Sequence, residues 1–212
     1  MTSITRTDII NDDLGAISTI PRALGRGSGL KVNDVFWTAF CDNTSFFTAA
    51  RANYYADAAA PLSITSLTVV EQMFMDQTDP DSKPLGLIPR ILLVPTGNSA
   101  LAAQLFAALE IRDTTASTKY PVANPHAGKF RNEVSTYLGN ASYGNSQLAW
   151  YLLADPQDAA VIEVCFLNGQ EAPTIETSEA DFSTLGIQMR GYHDFGVSKQ
   201  DYRGGVKSKG AA

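Results

Sequence analysis

Apolar residues at Leu14, Ile17, Ile20 and Leu24, and again at Val32, Val35, Phe36, Ala39 and Phe40, recur in steps of three and four. That spacing places side chains on one face of an α-helix, so the chain must supply a surface for a long apolar stripe to lie against. Asn11, Asp12 and Asp13 precede the stripe, and such short polar side chains accept bonds from the free amides of a first helical turn. Pro21 and the glycines at 25, 27 and 29 interrupt the pattern, which predicts a kink or two helical pieces.

Residues 42–61, rich in Ala, Asn, Ser and Tyr, read as a loop with short irregular elements. A second helix is expected from Ser63, with Leu67, Val70 and Phe74 on one face and Asp79-Pro80-Asp81 closing it. Ile88 to Val94 is a compact apolar run that reads as a buried strand. Asn98 then caps a third helix, with Leu101, Leu105 and Leu109 aligned, and strand, turn and helix in close order predict an α/β layer. Ile111 to Gly128 is polar and contains Pro121 and Pro125, as an exposed loop or arm would. Strands are expected over Phe130–Leu138, Trp150–Leu153 and Val161–Leu167, and the alternating Ile187–Val197 segment reads as a half-buried strand. The Gly- and Lys-rich tail from Gly204 to Ala212 is expected to fray.

With 212 residues, 44% of them hydrophobic, the chain can bury its own core as one domain or two small ones. Its apolar runs are far shorter than the ~20 residues needed to span a bilayer, and Met1 to Asn11 lacks the apolar centre of a signal peptide. A soluble protein made in a cytoplasm is therefore expected. The net charge of −6, without a basic run, argues against a dedicated nucleic-acid or membrane-surface binder. Glu171, Glu176, Glu179 and Asp181 form an acidic stretch, whereas Lys199, Arg203, Lys207 and Lys209 make the C-terminal end basic. The two read as solvated faces, or as complementary patches that set register between neighbouring subunits.

Reactive chemistry is hard to assemble from these residues. Cys41 and Cys165 lie far apart among apolar neighbours and read as reduced core thiols. The two histidines, His126 and His193, combine with them into no zinc-type spacing. A hydrolase would pair His193 with Asp194 and a serine, but neighbouring residues on a strand point to opposite faces, and no Gly-x-Ser-x-Gly elbow is present. The glycines at 25, 27 and 29 follow no strand, so a dinucleotide loop is not indicated. Acid pairs such as Asp12-Asp13 and Asp79/Asp81 fit caps and turns. No residue is assigned a catalytic, cofactor-binding or metal-ligating role, and no cofactor is expected.

Longer strings carry a family resemblance. Ile9-Ile10-Asn11-Asp12-Asp13-Leu14-Gly15-Ala16 and Ile20-Pro21-Arg22-Ala23-Leu24-Gly25-Arg26 resemble the entry to the long helix of tailed-phage major capsid proteins. Pro84 to Pro95, Glu110 to Thr118 and Asn124 to Phe130 continue the match, as do Trp150 to Pro156, Phe166 to Glu171 and Leu185 to Gly196. The chain is most similar in these strings to Mu-type head subunits and to capsid proteins fused to a prohead protease. The resemblance implies an α+β, Hong-Kong-97-like capsid fold with a long spine helix, a peripheral (P) domain sheet and an α/β axial (A) domain. It places the P domain at 1–58 and 150–212 and the A domain at 59–149. It further implies a non-enzymatic virion protein, made in the bacterial host cytoplasm, that assembles with itself into hexamers and pentamers of an icosahedral shell around DNA. Scaffold, prohead protease and portal proteins would be its other partners, with no specific nucleic-acid site and no membrane. Family members carry an N-terminal arm and an extended loop before the spine helix, whereas this chain starts almost at that helix, so a monomer or a weakly associated form is expected of this chain at micromolar concentration. An encapsulin-like cargo shell and a small cytosolic α/β hydrolase are the rival expectations.

Overall fold

A computed structural model describes residues 2–12, 15–111, 122–144, 146–179 and 186–211. Leu14 of the predicted helical stripe, Asp13 of the expected cap, Asp181 of the acidic stretch and most of the expected polar arm lie outside the described residues. In chain order the elements are β1 (Thr2–Thr5), α1 (Arg6–Ile10), α2 (Thr19–Cys41), β2 (Tyr54–Tyr55), α3 (Ile64–Met75), β3 (Pro89–Pro95), α4 (Ser99–Ala107), β4 (Glu110–Ile111) and β5 (Val122–Ala123). They continue with β6 (Arg131–Ser135), β7 (Trp150–Ala154), β8 (Ile162–Phe166), β9 (Thr174–Glu179), β10 (Gly186–Tyr192), β11 (Phe195–Lys199) and β12 (Gly205–Ser208). The mixture of helices and sheets makes the protein α+β. Two compact units are present: 1–36 with 164–198, and 37–163 with 199–212. Helix α2 and strands β8 and β11 each run across that division.

The larger unit is built on a five-stranded mixed sheet of order β2-β12-β7-β3-β6, in which β3 runs antiparallel to β7 and parallel to β6. Successive side chains on a strand face opposite sides, and both sides are covered here. Leu92, Val94, Trp150, Leu152 and Val206 pack with Leu67, Val70 and Phe74 of α3 and with Ala102 and Leu105 of α4. On the other side Ile91, Leu93 and Tyr151 pack with Phe40, Phe46, Phe47, Leu138 and Val161. A strand buried on both faces loses its polar alternation, which is why 91–94 is a continuous apolar run.

Ser63 caps α3 as its position predicts, its hydroxyl accepting from the Ser66 amide while the Ser66 side chain answers to the Ser63 amide. Asp79 closes the following turn by accepting from the amides of Asp81 and Lys83 at 2.9 and 2.8 Å. Helix α4 departs from expectation in two respects. The Asn98 side chain donates to the Leu148 carbonyl, 3.1 Å away, and makes no cap bond. Leu109 lies beyond the helix end and is 78% exposed, so the buried face is Ala102 and Leu105.

The C-terminal tail does not fray. Strand β12 lies inside the sheet between β2 and β7, with Val206 and Ser208 fully buried. Its flanking glycines mark close approach: a Cβ on Gly204 would stand 2.4 Å from the Ala159 carbonyl oxygen, and one on Gly210 (φ +71°) 1.8 Å from that of Leu148. Composition signalled flexibility where packing required the absence of a side chain.

The smaller unit carries a three-stranded antiparallel sheet, β1-β10-β9, with Ile4 and Met189 buried. Helix α1 is opened by a Thr5–Asp8 capping box. Helix α2 runs unbroken for 23 residues, neither divided by its glycines nor stopped by Pro21. Pro21 falls in the first turn, where the missing amide has no intrahelical acceptor to lose. The glycines cost about 1 kcal/mol each in helix propensity; at none of the three would a Cβ meet an atom within 4 Å. The segment read as one strand over 187–197 is two, β10 and β11, divided at His193 and Asp194, and Glu176 and Glu179 of the acidic stretch lie on the edge strand β9.

Candidate functional site

Among the described residues, polar groups come together in both units and at the C-terminal basic end. In the smaller unit His193 sits in the turn between β10 and β11, stacked on Phe166 with ring centroids 5.4 Å apart. Its Nδ1 is 2.7 Å from the Ser28 hydroxyl of α2, a pairing across the unit that no sequence spacing announces. The hydrolase geometry is not completed. Asp194 is exposed, and His193 Nε2 is buried with no hydrogen-bond partner among the described residues. A triad needs a carboxylate on the second ring nitrogen to hold the imidazolium that forms, and the buried nitrogen lacks one.

The second place is the interior of the larger unit. Glu71 on α3 is 5% exposed and forms an ion pair with Lys129; its Oε2 is 3.5 Å from His126 Nδ1. His126 is 3% exposed, and its Nε2 lies 2.8 Å from the Thr68 hydroxyl. Asn124 anchors the same segment, its amide donating to the carbonyls of Leu105 and Ala108 at 2.6 and 2.8 Å and its oxygen accepting from the His126 amide at 3.0 Å. The group therefore ties 124–130 to α3 and α4. Sequence reasoning placed His126 in an exposed loop; the buried Glu71 on the apolar face of α3 was the missed signal.

Burial pushes the His126 imidazole below its ordinary pKa of 6.5, with the Glu71 carboxylate opposing and the Lys129 ammonium adding to the shift. Because the folded value lies below the unfolded one, the unfolded chain binds the extra proton. The stability contribution is full above about pH 6.5 and is lost as pH falls through the lower folded value. Urea denaturation at pH 7.5 and pH 5.5 is expected to give a lower midpoint at the acid pH, with the difference reduced in His126→Gln. An identical difference in the variant would exclude His126 as its source.

The third place is the C-terminal basic end, and here the surface expectation is corrected. Lys199 bonds to the Asp42 carbonyl. Arg203 donates to the Thr78 carbonyl at 3.1 Å and lies over the Tyr202 ring. Lys207 Nζ donates to the buried Asn43 at 2.7 Å, and burial lowers its pKa. These three cations are engaged within their own subunit. Cys41 is buried, and burial pushes its thiol upward, whereas Cys165 is exposed rather than in the core. Among the described residues no group of three or more His, Cys, Asp or Glu side chains could hold a metal ion, and no helix is long and apolar enough to cross a membrane.

The arrangement is one of polar ties within packed units. A family model described as phage capsid protein matches residues 1–208 of the chain. No curated protein matches it.

Proposed function

From the premise that this chain belongs to the phage capsid protein family, a structural component of the virion, we propose that it is the major head subunit of a tailed phage or prophage. In this reading it adopts the Hong-Kong-97-type fold, is related to Mu-type head subunits, and forms the hexamers and pentamers of an icosahedral shell enclosing DNA. The observation that carries the reading is the match over 1–208, which takes in both compact units. An unbroken 23-residue α2, a separate antiparallel sheet and a larger α/β body support it. The peripheral domain is assigned to 1–58 and 150–212 and the axial domain to 59–149. Assembly takes place in the host cytoplasm, where scaffold, prohead protease and portal proteins are the expected partners.

Expressed with whatever flanking sequence its gene encodes, the protein is expected to form closed shells of uniform diameter, seen by negative-stain electron microscopy. Tubes, open sheets or small rings as the sole products, with no closed shell when scaffold is co-expressed, would count against the major-capsid reading.

A further inference from the structure

We propose that the outer face of α4 in the larger unit is covered by a second copy of this chain. The identity of the occupant rests on the capsid reading above, since a shell component assembles with itself; the face itself rests on sequence and burial. From Ile91 to Leu109 the chain holds no charged residue. Burial on both sides of the sheet accounts for 91–94, the first part of that stretch. It does not account for α4, whose buried residues are Ala102 and Leu105. Ala100, Ala103, Gln104 and Ala107, at steps of three and four, form the side turned away from the core, and all four are exposed. Leu101 and Phe106 border that side at 37% and 44% exposure, and Leu109, two residues past the helix end, is 78% exposed.

A helix that meets water on one side ordinarily carries polar residues there, and a helix apolar all round is a buried one. The other long helices follow the rule. The exposed side of α2 includes Arg22, Arg26 and Lys31, and that of α3 includes Thr65 and Gln72. Alanine is the best helix former and needs no further reason on a helix surface; the open Leu101, Phe106 and Leu109 side chains do. The apolar area left uncovered is roughly a few hundred Å², the range in which a patch marks a contact site.

Chemistry selects the occupant. Nucleic acid is held by Lys and Arg, an anionic membrane surface likewise draws basic residues to the polar side of a helix, and α4 has none. Two copies of a chain with net charge −6 repel over most of their surface. An uncharged face is where they can close without setting carboxylate against carboxylate or stripping water from an ion. The alanines let a neighbouring surface come near, and Leu101 and Phe106 supply apolar area at the sides. Size fits as well. A stable pair draws about 800 Å² from each partner, more than this face offers. The contact is therefore weak between two free chains and gains strength when every subunit of a closed assembly makes it together.

The test uses the full chain with Ala103→Glu and Ala107→Glu, two exposed positions where glutamate suits a helix. Folding is checked by circular dichroism and melting, and Ala107→Glu alone serves if the pair impairs it. Thr65→Glu with Gln72→Glu, on the exposed side of α3, adds the same charge elsewhere as the control. In sedimentation velocity the unaltered chain should associate as concentration rises, and the control should match it. The α4 variant should associate at least tenfold more weakly, about 1.4 kcal/mol. In a Cys165→Ser background, which removes the exposed thiol, Ala103→Cys should react with excess water-soluble maleimide more slowly at high protein concentration than at low. An unaltered chain that stays monomeric at every concentration, an α4 variant that associates normally, a control weakened as much, or equal labelling rates would each overturn the proposal. So would an α4 variant that loses binding to a co-expressed scaffold protein while its self-association is unchanged. Closed shells in normal yield from the α4 variant would remove this interface and leave the capsid reading standing; α4-dependent association that never yields shells from the unaltered gene would do the reverse.

Discussion

A chain ending at Gly204 is expected to lose the fold of the larger unit, because residues 205–212 include a strand from inside its sheet. Strand β12 pairs with β7 on one side and β2 on the other. Its removal strips the Lys207 and Lys209 amides from the Asn53 and Tyr55 carbonyls, bonds of 2.9 and 2.8 Å. The Ser208 hydroxyl bond to Ala60, 2.8 Å, goes with it. Losing the buried Val206 side chain costs about 1.5–3 kcal/mol. Each buried partner left unsatisfied along β7 costs about 1–3 kcal/mol more. Those losses approach the whole margin of a domain, about 5–15 kcal/mol. Expression of the shortened chain should give insoluble or unfolded protein by circular dichroism. Soluble material with an unchanged melting temperature would show that β12 is dispensable.

Trp150→Ala should be the most damaging single substitution in the same unit. Trp150 is fully buried at the centre of the sheet, and its indole donates to the Ala60 carbonyl at 3.0 Å. That carbonyl also accepts from Ser208, so it stays satisfied when the indole is gone, and the cost is chiefly the cavity. Truncating a buried tryptophan costs about 3–5 kcal/mol, which lowers the melting temperature by roughly 10 °C or more. Trp37 remains as the fluorescence probe for urea denaturation. A midpoint within error of the unaltered chain would mean that the indole does not fill the core as described. Trp150→Phe, which leaves a smaller cavity, should fall between the two.

The fold gives these ties a use consistent with a shell component. Glu71, His126, Lys129, Asn124 and Asn43 hold loops to helices and strands inside one subunit. A body that must meet neighbours at fixed angles gains from loops that do not move. Ser28 and His193 bring a hydroxyl and an imidazole together, and among the described residues no carboxylate meets the second ring nitrogen as a triad would have it.

What the residues alone determined were the features set by local spacing. The periodicity of Ile17 to Phe40 fixed a long helix, Ser63 fixed the start of α3, and the apolar runs at 91–94 and 150–153 announced strands, whose burial on both faces the packing then showed. Tertiary structure decided whatever depended on a partner distant in sequence. The acidic segment 174–179 is a strand because β10 pairs with it, the Gly-Lys tail is interior because β2 and β7 close on it, and Lys207 is drawn inward by Asn43. The same separation hid the Ser28–His193 pair and the burial of His126 beside Glu71. Composition reports a residue's own preference for water and backbone shape; a neighbour that offers a hydrogen bond or leaves room only for a glycine can overrule it, and sequence order does not say which neighbour arrives.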